Sequence, residues 1–176
     1  MADLNQQLDK VKSKENFFEK IMRIIPGYDG YVNRDNSREL DTLLRNELAK
    51  KIDTNHTKLK NTILNLSQRG KLFETDGVDK LDKKIQTATA KFKAASRGYS
   101  GAFDVVKIKE EKLMQVYEFD ASLLEGVEQI TNSCTEMETN SRSSIDIRDS
   151  VQKTNELLDQ LILKFDARES ILKSTV

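Results

Sequence analysis

His56 and Cys134 are the only histidine and cysteine in the 176-residue chain, so most side-chain chemistry must pass through them. Asp53 stands three residues before His56, which puts the two on one face of a helix. That is one half of a bundle-type metal pair, and a di-iron centre needs two Glu-x-x-His pairs. Zinc sites need several Cys or His ligands. Ser-His-Asp catalysis needs one histidine only, but the chain has no Gly-x-Ser-x-Gly elbow and no strand pattern to present one. His56 therefore reads as a surface or seam histidine. Cys134 falls on an apolar helical seam and reads as a small core residue. A lone cysteine also excludes a disulfide scaffold and suits a reducing compartment.

Two further patterns fail as ligand sites. Gly70-Lys71 lacks the upstream glycine of a phosphate-binding loop. Asp76, Asp79 and Asp82 recur every three residues, which does not match a calcium loop, and carboxylates at a helix start favour the helix dipole. No catalytic residue, metal or cofactor is expected, and the chain is read as a non-enzyme.

The informative residues lie in two segments rich in glycine and aromatics. The first is Pro26-Gly27-Tyr28-Asp29-Gly30-Tyr31, and the second is Gly98-Tyr99-Ser100-Gly101-Ala102-Phe103. They hold four of the seven glycines, a residue that permits close backbone approach between loops. Just after the first segment come Arg34, Arg38, Asp41 and Arg45. On a helix Arg38, Asp41 and Arg45 share a face, so Asp41 can bridge its neighbours at i−3 and i+4. Two readings apply to Tyr28, Tyr31, Arg34, Arg38, Asp41, Arg45, Tyr99 and Phe103. They cap one end of a bundle, or they form a binding surface in which arginine takes an anionic group or a protein segment.

These strings, with Arg38-x-x-Asp41-x-x-x-Arg45-x-x-Leu48, Gly101-Ala102-Phe103-Asp104-Val105-Val106-Lys107-Ile108 and Tyr117-Glu118-Phe119-Asp120, resemble a family of small helical prokaryotic proteins with paired Gly-Tyr-x-Gly loops. The resemblance covers about residues 24–130. It implies a bacterial or archaeal cytoplasmic protein and carries no activity with it.

The elements that must position these residues are all helical. Leu4, Leu8, Val11, Phe18, Met22 and Ile25 predict an amphipathic helix over about 3–25, stopped by Pro26-Gly27. A second helix is predicted from Ser37 to Arg69, with Leu40, Leu44, Leu48, Ile52, Leu59, Ile63 and Leu66 on its seam, Asn55 interrupting it and Gly70 as its cap. Asp76-Gly77 opens a third, whose Val78, Leu81, Ile85, Ala88, Phe92 and Ala95 form a heptad pattern. A fourth pattern runs from Lys109 to Lys173. Its middle is rich in Ser, Thr and Asn, and a bend or break is expected near Thr139–Ser144.

The expected fold is an all-α, elongated antiparallel bundle of about four helices. Residues 1–130 form the bundle and 131–176 a long, coiled-coil-like helical extension. Short connections predict that consecutive helices are neighbours. The extension must fold back, pair with another copy or stay partly exposed, and a coiled-coil extension is the preferred reading.

Charge narrows the partners. Lys+Arg and Asp+Glu are 29 each, which is no general basic surface for nucleic acid. Residues 1–110 hold 22 basic and 16 acidic residues, and 111–176 hold 7 and 13, so the two regions carry +6 and −6 and can pair within or between copies. No run reaches the ~18 apolar residues of a membrane span, and Met1–Gln7 has no signal-peptide character. The chain is read as a cytoplasmic interaction or scaffold protein that self-associates or binds a protein partner. The alternatives are a peripheral membrane protein using the stripe Phe17–Ile25, and a module binding an anionic ligand at the Tyr/Arg loop end.

Overall fold

The computed structural model describes residues 19, 21–25, 27, 34–94, 110–143 and 145–173, with the backbone alone for 34–38, 110–114 and 173. Five long helices make up most of it: α1 (Arg34–Asp53), α2 (Asn55–Gln68), α3 (Leu72–Ala94), α4 (Glu110–Arg142) and α5 (Arg148–Lys173). No strand occurs among the described residues. Ahead of them residues 21–24 are helical, and the turn closes with the Ile25 N–H donating to the Ile21 carbonyl at 2.8 Å. Gly27 follows at φ 86°, where the sequence stops its first helix. Ile21 and Ile25 are buried in the core. The rest of that predicted helix lies outside the described residues.

The long second helix forms with one flaw. Thr54 keeps helical angles (φ −58°, ψ −23°), but its hydroxyl donates to the Lys51 carbonyl at 2.6 Å. The Thr54 N–H is left with a stretched 3.3 Å bond to Lys50, so the ladder is interrupted between α1 and α2. At the far end, Gly70 takes φ 73°. Its N–H bonds the Ser67 carbonyl and the Lys71 N–H bonds the Leu66 carbonyl, the Schellman closure that only a left-handed residue completes easily. The chain re-enters a helix at once, so α3 starts at Leu72 and not at Asp76-Gly77. The late break falls between α4 and α5, just after Arg142, at the edge of the expected window. There Asp146 Oδ1 accepts the Arg148 N–H at 2.9 Å and caps α5.

The register of side-chain contacts gives the topology. Asn55 meets Thr131 and Asn65 meets Ser141, so the α1–α2 rod and α4 run parallel. Lys84 meets Asn155 and Lys91 meets Asp166, so α3 and α5 run parallel as well. The tight turns make α2/α3 and α4/α5 antiparallel. Two hairpins thus lie side by side, rod on rod, with both turns at the same end. The α1–α2 rod packs on α3 and α4, and α5 packs on α4 and α3. Consecutive helices are neighbours at the two tight turns. The exception is α3 and α4, which stand diagonally across the bundle.

One core cluster fills the space between the rods. The heptad residues Val78, Leu81, Ile85, Ala88 and Phe92 are wholly buried. So are Leu158 and Phe165 of α5, with the Phe165 ring centroid 4.5 Å from that of Phe92. The C-terminal segment therefore folds back. The expected boundary at 130 falls inside α4 at a buried Ile130, and the core runs across it. Folding back covers the apolar stripe of α5 against α4 and α3.

Candidate functional site

Asp41 and Arg45, the pair expected from i,i+4 spacing, do meet: Arg45 Nε lies 2.6 Å from Asp41 Oδ2. Their setting is internal. Arg45 Nη1 lies 2.6 Å from Glu169 Oε1, and Arg168 Nη1 lies 2.6 Å from Asp41 Oδ1. Arg168 Nε also bonds Asp120 Oδ1. Three carboxylates thus surround two guanidinium groups, with helices α1, α4 and α5 each supplying members. Arg45 is 1% exposed and stacks over the Phe165 ring, 4.9 Å from its centroid. Burial pulls the Arg45 pKa down, but the charge and hydrogen bond of Asp41 outweigh it and the net shift is upward. The cluster holds no nucleophile. Its arginines already face carboxylates, so its chemistry is that of an internal clamp.

The other expected site residues divide in two. Tyr28, Tyr31, Tyr99 and Phe103 lie outside the described residues, and for Arg34 and Arg38 only the helical backbone is described. Arg168, Asp120 and Glu169 were not anticipated as cluster members. A signal existed for the first: Phe165, Arg168 and Leu172 follow core spacing, and a charged residue on an apolar seam calls for a buried partner.

His56 is half-buried, and its Nδ1 lies 2.5 Å from Oδ1 of the buried Asp82. Gln86 Nε2 donates to the other Asp82 oxygen at 2.9 Å. The partner is thus Asp82 of α3, not Asp53 at the end of α1. Cys134 is buried away from reagents, its thiol pushed up to about 12 by desolvation. Among the described residues no group of three or more His, Cys, Asp or Glu side chains could hold a metal ion.

A polar ladder joins α2 to α4. Asn55, Asn61 and Asn65 donate to Thr131, Glu138 and Ser141, and Lys58 donates to Thr135 at 2.8 Å. These bonds recur at offsets of 76 or 77 residues, so a slip of one turn would break them all. The polar stretch of α4 has this partner, and register is its role.

The end with both turns is different in character. Leu64, Leu72 and Ile145 are each more than half exposed and Phe73 is fully exposed. Between α3 and α5 at this end lies a cleft of about 620 Å³. Phe73, Gly77, Ile147 and Val151 line it together with the charged Glu74, Arg148, Glu156 and Asp159. Charges at this end are paired locally, Lys71 with Glu74, Arg142 with Glu138 and Arg148 with Asp146.

No protein-family model, curated protein or solved structure matches the chain. No helix among the described residues is long and apolar enough to cross a membrane.

Proposed function

We propose that this chain is a non-enzymatic interaction protein, and that the end carrying the two hairpin turns is where it docks a protein. The observation behind this is the fully exposed Phe73, which lines a cleft between α3 and α5, with Leu72 and Ile145 also exposed at the same end. Large apolar side chains gathered on one surface and rimmed by charge mark sites of association. The cations Lys71 and Arg148 at this end are held by Glu74 and Asp146, which suits a protein partner better than an anionic lipid surface. In this reading the protein is cytoplasmic and prokaryotic, in keeping with its loop motifs and its single buried thiol.

The membrane alternative relied on the stripe Phe17–Ile25, of which Ile21 and Ile25 face the core. The anionic-ligand alternative relied on Arg45 among others, and Arg45 is engaged by Asp41 and Glu169. Both weigh less than the docking reading.

Photo-crosslinking tests it. A photoreactive residue at position 73 should join the chain to a discrete protein in cells, while one at the exposed Asn46 should not. Equal labelling from both positions, or none from 73, sinks the reading.

A further inference from the structure

We infer that the partner at this end is a second copy of the chain, in a two-fold contact where Phe73 of each copy fills the cleft above Gly77 of the other. The inference rests on the docking reading above and names its occupant.

Gly77 is the first ground. A glycine inside a helix is destabilising compared with alanine. Among the described residues only Gly27 and Gly70 have positive φ, so the backbone at 77 does not demand it. Packing does not demand it either, since an added Cβ would meet one atom, Val151 Cγ1, at an ordinary 3.5 Å. Gly126 differs, because its Cβ would press to 3.1 Å from Leu161 Cδ1 in the core. What the missing side chain at 77 does is leave the cleft open.

Shape is the second. Phe73 and Gly77 are four residues apart on α3, and so share a face one turn apart. A knob and a hole side by side on one helix are complementary to themselves when a second copy is turned through a two-fold axis. With the axis level with residue 75, each Phe73 comes level with the Gly77 of the other copy.

Charge is the third, and it selects a second copy over an unrelated protein. In that register, residue 71 of one copy comes level with residue 79 of the other. The α5 residues beside that stretch follow from its neighbours: Gly77 lies against Val151, and Lys84 reaches Asn155 and Asp159. Lys71 of one copy, with Arg69 in the same turn, therefore approaches Glu156 and Asp159, the carboxylates that line the cleft away from Arg148, in the other. The match occurs twice by symmetry. Lys71 and Asp159 already hold ion pairs with Glu74 and Lys84, at partly exposed sites where partners exchange at little cost.

Light scattering after size exclusion on the full chain, across the micromolar range, should give twice the chain mass. Phe73→Ala removes a solvent-exposed side chain and leaves the fold intact, and should weaken the dimer about tenfold or more. Gly77→Leu fills the cleft and should give a monomer. Arg69→Glu and Glu156→Arg should each weaken the dimer, and the double variant should restore it. A full chain that stays monomeric overturns the inference, and so does a dimer indifferent to Phe73→Ala and Gly77→Leu. The crosslinker at 73 separates the two levels of the claim. Crosslinks only to a different protein overturn self-pairing and keep the docking end, while no crosslinks overturn both.

Discussion

Arg168 of α5 reaches Asp41 of α1 across 127 residues of sequence, with Nη1 and Oδ1 2.6 Å apart and both side chains sealed from solvent. The same guanidinium holds Asp120 of α4. One side chain thus ties together three helices at the end opposite the two turns. The molecule has a locked end and an open one, and the proposed docking surface falls on the open one.

Removing Arg168 should leave Asp41 and Asp120 as buried charges facing one fewer cation. Breaking a buried pair in this way costs on the order of 3–5 kcal/mol. Arg168→Met should lower the urea midpoint accordingly, and Arg168→Lys should fall between, because an ammonium cannot fork to two carboxylates. An Arg168→Met variant as stable as the parent would show that the cluster is not a clamp.

The same substitution at two glycines should have opposite signs. Gly77→Ala has room for its Cβ and should raise stability by about 0.5–1 kcal/mol, the helix-interior difference between the two residues. Gly126→Ala gains the same helix preference but pushes a methyl to 3.1 Å from Leu161 Cδ1, which the packed core holds in place, and overpacking at roughly 1–3 kcal/mol outweighs that gain. Thermal melts of the two variants, read side by side, check the pair.

Asp146 predicts a response to acid. Hydrogen bonds from the side chain and backbone of Arg148 lower its carboxyl from 3.8 to about 2. A depressed folded pKa gives stability that is present above 3.8 and lost as pH falls through about 2. Asp146→Asn should therefore weaken the start of α5 at neutral pH and close the gap to the parent below pH 3.8. A gap that stays constant down to pH 2 would count against the cap.

Cys134 should be inert while the bundle is folded. Burial raises its thiol from 9.0 to about 12, so the nucleophilic thiolate is scarce at neutral pH. A thiol reagent should label it at the rate of opening, and rapidly in denaturant. The raised pKa also gives stability that is present below 9.0 and fades as pH rises toward 12. Fast labelling of the native chain would contradict the buried position.

Deleting α5 after residue 143 should abolish cooperative unfolding. The cut strips Leu158, Leu161 and Phe165 from the shared core and takes Arg168 from Asp41 and Asp120. A truncated chain that still melted cooperatively would mean that α1 to α4 hold a core of their own.

The sequence by itself determined the helices and their inward faces, because periodicity is local and burial follows it. The seam Val78, Leu81, Ile85, Ala88, Phe92 was legible without a neighbour, and so was Asp41 with Arg45, since i,i+4 partners sit on one helix. Gly70 announced its turn by residue type alone. Only the tertiary structure decided which rods touch. Nothing local could pair Arg168 with Asp41, place α4 beside α2, or turn α5 back onto Phe92, because those contacts join residues 70 or more positions apart. Leu72 and Phe73 make the same point at the open end. Their types suggest core, and they are exposed because the Gly70 turn starts α3 before the neighbouring rods can cover its first turn.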